Sequence, residues 1–324
     1  MKHIGRVLGL FVVVFSLLIN ALPCGPSYVT PVFEYENAPE NPYENFANGS
    51  LGIIKPSFHR SVLYAAYRYI NGGAFTEDEQ KALVQVWQAD FDNKDYLNDD
   101  ITDAVRTWVE KRQEVVGKDE KTPDIYTERN YAGYDFFPNC AKNAFETATE
   151  TLADRASAHG PNDAGVLGWI KGQDEVFANC STGKQAPDAA PPGSPDWLQK
   201  DRAYQIAAAS FYSLDYEDAK KRFLDIAQDA DSPWQETAGY LVARTLIRQA
   251  SLTKDADKAA AYYSEAEQRL ENFQTGKFAD SAERMIGLIK YRLHPKERVG
   301  ELARKLMIQG GNANFRQDVI DYTW

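Results

Sequence analysis

Histidine, methionine and cysteine are scarce in this chain of 324 residues, which holds four, three and three of them. The histidines are His3, His59, His159 and His294. No two fall on one helix face at metal spacing and no His-Glu-x-x-His occurs, so a zinc-hydrolase site is not expected. His59 falls in a first helical turn and His159 before a Gly-Pro break, both suited to surface or capping roles. Three cysteines are too few for a disulfide-built miniprotein. Beyond the N-terminus no apolar run reaches spanning length, which excludes a multi-span membrane protein. Cationic residues are outnumbered, 36 Lys and Arg against 47 Asp and Glu, for a net charge of −11. Such a chain is a poor binder of phosphate backbones, so no nucleic-acid partner is expected. There is no Gly-x-Ser-x-Gly elbow and no phosphate-binding glycine loop.

Hydrophobic residues make up 44% of the chain, enough for a sizeable core in one or two domains. The stretch Asp90-Phe91-Asp92-Asn93-Lys94-Asp95 has a calcium-loop flavour. In that register Lys94 takes a ligand position, the central Gly is missing and Ile101 stands where Glu is needed, so it reads as a solvated acidic loop. The remaining carboxylates scatter over helix surfaces. None can be named as a general acid, and no pair can be shown to converge on a sugar. The sequence therefore offers no catalytic residue, no cofactor site and no metal site.

The N-terminus places Lys2 and Arg6 before the apolar run Val7 to Ile19. A basic start and a run too short to span a membrane comfortably are the layout of a secretory signal. Cleavage after Ala21 fits the small-residue rule and makes residues 1–21 the signal peptide. Ala21-Leu22-Pro23-Cys24 is an imperfect lipobox, and if Cys24 is the lipid acceptor the signal extends to 23. Export to a periplasm, or anchoring at the outer membrane through Cys24, is the expectation. A membrane is a partner only through that anchor.

Export implies an oxidising compartment. With Cys24 set aside, Cys140 and Cys180 remain. Cys140 follows the helix-start signal Pro138-Asn139, and Gly160-Pro161-Asn162 breaks the helix and starts a second, which ends at Ser181-Thr182-Gly183. Two antiparallel helices of similar length bring Cys140 and Cys180 to one end of the hairpin, where they can pair. Two buried free thiols are the alternative, and a zinc pair lacks further ligands.

The segment 22–56 is rich in proline and aromatics and reads as an extended arm. Residues 57–180 read as a helical subdomain. A stripe of Val62, Leu63, Ala66, Tyr67 and Ile70 ends at Asn71-Gly72-Gly73, and Thr76-Glu77-Asp78-Glu79 is a capping box ahead of Leu83, Val86 and Trp87. Asp99-Asp100 opens a third helix through Val116. A polar, then tyrosine-rich connection covers 118–137, and no stretch alternates as a sustained strand. Residues 181–195, with four prolines, read as a linker between subdomains. The 18 tyrosines fall mostly at stripe positions and suit core packing.

From 196 to 324 the pattern is an all-α stack of helix pairs. Ala207 is followed twelve positions later by Ala219 and four after that by Phe223. This resembles the tetratricopeptide register, in which small residues let paired helices approach and an aromatic interlocks them. Ala243, Ala259, Tyr263 and Ala266 form a second unit with a longer inner loop. Ala282, Met285, Ile286 and Ile289, then Val299, Leu302, Ala303 and Leu306, form a weaker third. Trp, Tyr and Pro positions of the repeat are missing or displaced. Beyond the repeats, Cys24-Gly25-Pro26, Phe46-Ala47, Leu51-Gly52-Ile53, Ala66-Tyr67-Arg68-Tyr69, Gln173 to Cys180, Tyr204 to Ala209 and Ser232-Pro233-Trp234 resemble exported bacterial tetratricopeptide-like helical-repeat proteins of unassigned function. The resemblance implies a signal sequence and such helices, and carries no catalytic residues.

The functional expectation is an exported helical-repeat binding or scaffold protein of the bacterial cell envelope that engages a protein or peptide partner. The alternative is an envelope glycan-binding or glycan-processing protein on the same helices. Phe315, Val319, Ile320, Tyr322 and Trp324 start an apolar-faced helix with no polar cap. That ending suggests a fragment of a longer protein, with exposed apolar area at the last helix.

Overall fold

A computed structural model describes residues 59–92, 96–117, 120–121, 123, 125, 129–132, 135–181, 183–310, 312 and 314–323. The signal segment, Cys24, the arm 22–56 and Trp324 lie outside the described residues, as do the side chains of Asp90–Asp95. The chain divides into two compact units at Ala74 and Phe75. The regular elements of the described residues are helices apart from one small hairpin, and none of those helices is long and apolar enough to cross a membrane.

The first unit contributes α1 (His59–Ile70). Its buried face is Val62, Tyr64, Ala65 and Ala66, while Leu63, Tyr67 and Ile70 are exposed. The expected stripe was therefore rotated: Val62 and Ala66 lie on the true face, and their larger neighbours do not. Arg68 is buried at the end of the helix, donating from Nη2 to the Ala74 carbonyl at 2.8 Å and from Nη1 to the Tyr64 hydroxyl at 3.2 Å.

The second unit opens with α2 (Glu77–Asp92). Its capping box is formed in both directions. The Thr76 N–H donates to Glu79 Oε2 at 2.8 Å, and the Glu79 N–H donates to Thr76 Oγ1 at 3.2 Å. Helix α3 (Tyr96–Val116) starts three residues before the expected acidic pair. The tyrosine-rich connection holds an antiparallel hairpin, β1 (Arg129–Ala132) and β2 (Asp135–Pro138), with Arg129 opposite Pro138. Four-residue strands are too short to show alternation, which is why no strand was legible there.

Helices α4 (Lys142–His159) and α5 (Ala164–Phe177) follow, the second capped by Asp163, whose carboxylate accepts from the Gly165 and Val166 N–H groups. Cys140 and Cys180 are joined by a disulfide with Cα atoms 5.2 Å apart. Asn139 does not cap α4, contrary to expectation. Its amide instead donates to the Asn179 carbonyl at 2.7 Å and the Tyr212 carbonyl at 2.6 Å. Trp108, Phe145, Trp169 and Phe177 form the core here, the Phe145 and Phe177 rings 4.6 Å apart. Closing a loop of 40 residues removes unfolded-state entropy. Cys140→Ala should therefore cost about 2–4 kcal/mol under oxidising conditions and little in reductant, read from paired thermal melts.

The proline segment 181–195 does not separate two bodies. Helix α5 packs on α6 (Asp196–Tyr212), and Leu198, Ala208 and Ala209 of α6 share the core of α4 and α5. Helices α7 (Tyr216–Gln228), α8 (Gln235–Leu252), α9 (Ala256–Leu270), α10 (Ala279–Leu293), α11 (Pro295–Leu306) and α12 (Phe315–Thr323) follow, each packed on the next. Ala207, Ala219, Phe223, Ala243, Tyr263 and Ala266 are buried in one cluster, with Ala259 half-buried against it. In the third pair Val299 is exposed and Arg298 takes the inward position.

The last helix is covered. Phe315 and Val319 are buried, α12 packs on both α11 and α2, and the Phe315 ring meets Phe75 edge-on at 6.3 Å. The expected exposed apolar area is not found at these residues.

Candidate ligand-binding groove

Helix α6 shows two useful faces. Ala207 and Phe211 point into the repeat core, whereas Tyr204, Ala208 and Tyr212, spaced by four, line a groove. Thr237, Leu241 and Arg244 of α8, spaced by four and three, face it from one side of that helix. Helix α4 lends Asn143, Thr147 and Thr151, α5 lends Trp169, Gln173, Val176 and Phe177, and Lys277, Phe278 and Ser281 close the end at α10. The groove holds about 240 Å³. That is smaller than the ~300–1,000 Å³ of whole small-molecule sites, and suits part of a longer ligand.

The walls are tied together by ring stacking and buried hydrogen bonds. Tyr204 stacks on Trp234 with ring centroids 4.1 Å apart, and Tyr240 stacks on Phe278 at 4.2 Å. The Trp234 indole N–H donates to Asp201 Oδ1 at 2.8 Å. Asp201 is wholly buried and takes a two-pronged grip from Arg155, at 2.8 and 2.9 Å. Gln205 Nε2 donates to the Trp169 carbonyl at 3.0 Å and to Gln173 Oε1 at 3.2 Å. Gly172 permits this approach of α5 to α6. A Cβ there would lie 2.5 Å from Gln205 Oε1 and 2.7 Å from Arg202 Cζ. Gly172→Ala should destabilise the chain by about 1–3 kcal/mol, measured by urea titration.

Charge in the groove is one-sided. Among the described residues, the charged ones lining it are Arg244 and Lys277. Among the described residues neither has a carboxylate partner. Arg244 Cζ lies 6.0 Å from the Tyr240 ring centre, and Lys277 Nζ 5.3 Å from that of Phe278. One turn beyond Arg244, Arg248 is buried without a carboxylate among the described residues. It donates to the carbonyls of Asn139 at 2.7 Å and Pro138 at 3.2 Å, and lies 4.3 Å from the Phe211 ring centre. Burial, with Arg244 adding repulsion, pushes its guanidinium down to about 10, so it remains a cation at neutral pH. Burial also pushes the Tyr204 and Tyr212 phenols up, against the pull of Arg244 on both, so each keeps its proton as a donor. The Trp169 indole N–H is buried without an acceptor among the described residues.

No protein-family model matches the chain, and no curated protein and no solved structure matches it. The groove therefore stands on its own geometry. None of the repeat-core residues named from the sequence lines it; they hold the helices that do. Tyr212 and Arg244 were not singled out from the sequence, and Tyr204 entered only through the resemblance, with no role. The signal present was the second periodic face of α6, Tyr204-Ala208-Tyr212, one position away from the core face.

A second cleft, of about 460 Å³, lies among α10, α11 and α12. Arg298 is buried in it, with Nη1 3.2 Å from Glu301 and Nη2 3.6 Å from Asp318 and 3.9 Å from Asp321. Burial raises the Asp321 carboxyl, opposed by Gln317 and Arg298 and reinforced by Asp318. A glycosidase pair brackets an open bond to be cleaved. Asp318 and Asp321 bracket a guanidinium, and the network ties α12 to α11.

Proposed function

We propose that the chain is a helical-repeat binding or scaffold protein that engages a protein or peptide partner in the groove of α4, α5, α6, α8 and α10. The observation that carries this is a groove with an apolar floor and stacked aromatic walls that, among the described residues, has unpaired donors and no lining carboxylate. The successive pairs α6/α7, α8/α9 and α10/α11 support a tetratricopeptide-like solenoid, in which first helices supply the binding face. The signal-like N-terminus supports export and action in a bacterial envelope, with Cys24 as the candidate anchor.

The function is tested by blocking the groove. Thr147 lines it and Asp225 is exposed on α7. In a crosslinking pull-down from intact envelope, Thr147→Trp should lose the polypeptide partner while Asp225→Trp retains it, with unchanged melting of both variants. Equal recovery by the two, or a glycan in place of a polypeptide, would contradict the proposal.

A further inference from the structure

The positive character of the groove is unusual for its chain. The sequence carries 47 acidic residues against 36 basic ones, yet among the described residues the groove is lined by Arg244 and Lys277 and by no Asp or Glu. Behind Arg244 lies Arg248, a third cation with no carboxylate partner among the described residues, bonded only to two carbonyls. Cations in a concave site with low-dielectric walls focus a positive potential. Tyr204 and Tyr212 sit close enough to Arg244 to feel its charge, and among the described residues their hydroxyls have no hydrogen-bond partner. Each is a neutral donor beside a cation, suited to an anionic oxygen.

We propose that the groove binds an acidic peptide segment, one side-chain carboxylate held by Arg244 with the hydroxyls of Tyr204 and Tyr212, and a second acidic group drawn to Lys277. Charge-assisted bonds to a guanidinium are short and directional, and phenols add donors without a desolvation cost for a second charge. The two cations stand on different elements, α8 and the loop before α10, as befits carboxylates spaced along a chain rather than one compact anion. The Asn143 amide offers a donor and an acceptor and the Gln173 amide a donor for peptide main chain, and the floor of Val176, Phe177 and Leu241 takes apolar side chains. The assignment rests on the peptide-binding function proposed above and adds its charge.

The test is selection of a displayed library of random dodecapeptides on the full chain, in parallel with two variants. The first is the double variant Arg244→Gln, Lys277→Gln; neither side chain has an ion-pair partner to lose among the described residues, and its melting curve should match that of the parent. The second is the blocked Thr147→Trp. Enriched peptides should be rich in Asp and Glu. Their affinity should fall about tenfold or more in the double variant and decline steeply with salt. Tyr204→Phe and Tyr212→Phe should each weaken binding about 2- to 10-fold. Neutral or basic peptides that are lost on Thr147→Trp but keep their affinity in the double variant would overturn the charge assignment and leave a peptide groove. No enrichment, or enrichment indifferent to Thr147→Trp, would overturn both.

Discussion

Phe223→Ala is expected to lower the unfolding free energy by about 3–5 kcal/mol, the usual cost of emptying a fully buried phenylalanine site. Phe223 is 0% exposed. Its ring lies 6.3 Å from that of Phe211 and 6.1 Å from that of Tyr204, so the side chain bridges α7 to α6 from behind the groove. The cavity would form between helices whose small residues, Ala207 and Ala219, have no spare length with which to refill it. Lys221→Ala, on the exposed side of the same helix, should stay within about 0.5 kcal/mol and serves as the control. Urea denaturation followed by circular dichroism decides the matter. A loss below about 1 kcal/mol would contradict the helix pairing built on this residue.

The second large effect is expected at the buried ion pair. Removing one partner of such a pair leaves an uncompensated charge and costs about 3–5 kcal/mol. The two partners differ in their access to water. Asp201 is wholly buried, whereas the Arg155 side chain is 21% exposed. Arg155→Ala strands a carboxylate in the interior with, among the described residues, only the Trp234 N–H to satisfy it and should cost the full amount. Asp201→Ala leaves a guanidinium that can turn outward, and should cost less. Asp201→Ala also frees the Trp234 indole, so the Tyr204 stack should loosen and ligand affinity fall even where the fold survives. Paired denaturation and binding measurements check both; equal costs for the two variants would contradict the burial asymmetry.

Features set by local chemistry were readable from the sequence. Thr76 and Glu79 cap α2 because a hydroxyl and a carboxylate three residues apart reach each other's N–H. The pairing of Cys140 with Cys180 followed from where Gly160-Pro161 had to turn the chain. What periodicity could not supply was which neighbour covers a given face. Leu63, Tyr67 and Ile70 are as apolar as Val62 and Ala66, yet only the latter two are buried. At α11 the inward position went to Arg298, because Glu301, Asp318 and Asp321 gather around it, while Val299 faces out. The hairpin at Arg129–Pro138 was too short to register as a pattern.

The groove was hidden for a related reason. Its tyrosines occupy helical positions next to the core positions, so in sequence they look like more core. Only the packing of α4 and α5 beside α6 and α8 separates the two faces. Likewise, nothing in the sequence marks Arg244 and Arg248 as cations that have no carboxylate partner among the described residues.

The measurement that bears most directly on the groove is photo-crosslinking in intact cells from single positions of the full chain. A crosslinking amino acid at Thr147 or at Tyr212 should yield one discrete polypeptide adduct whose crosslinked segment is acidic. The same amino acid at Asp225 of α7 should yield none. Adducts from Asp225 but not from Thr147 or Tyr212 would place the partner on the opposite side of the helix pairs and contradict the groove as the binding site.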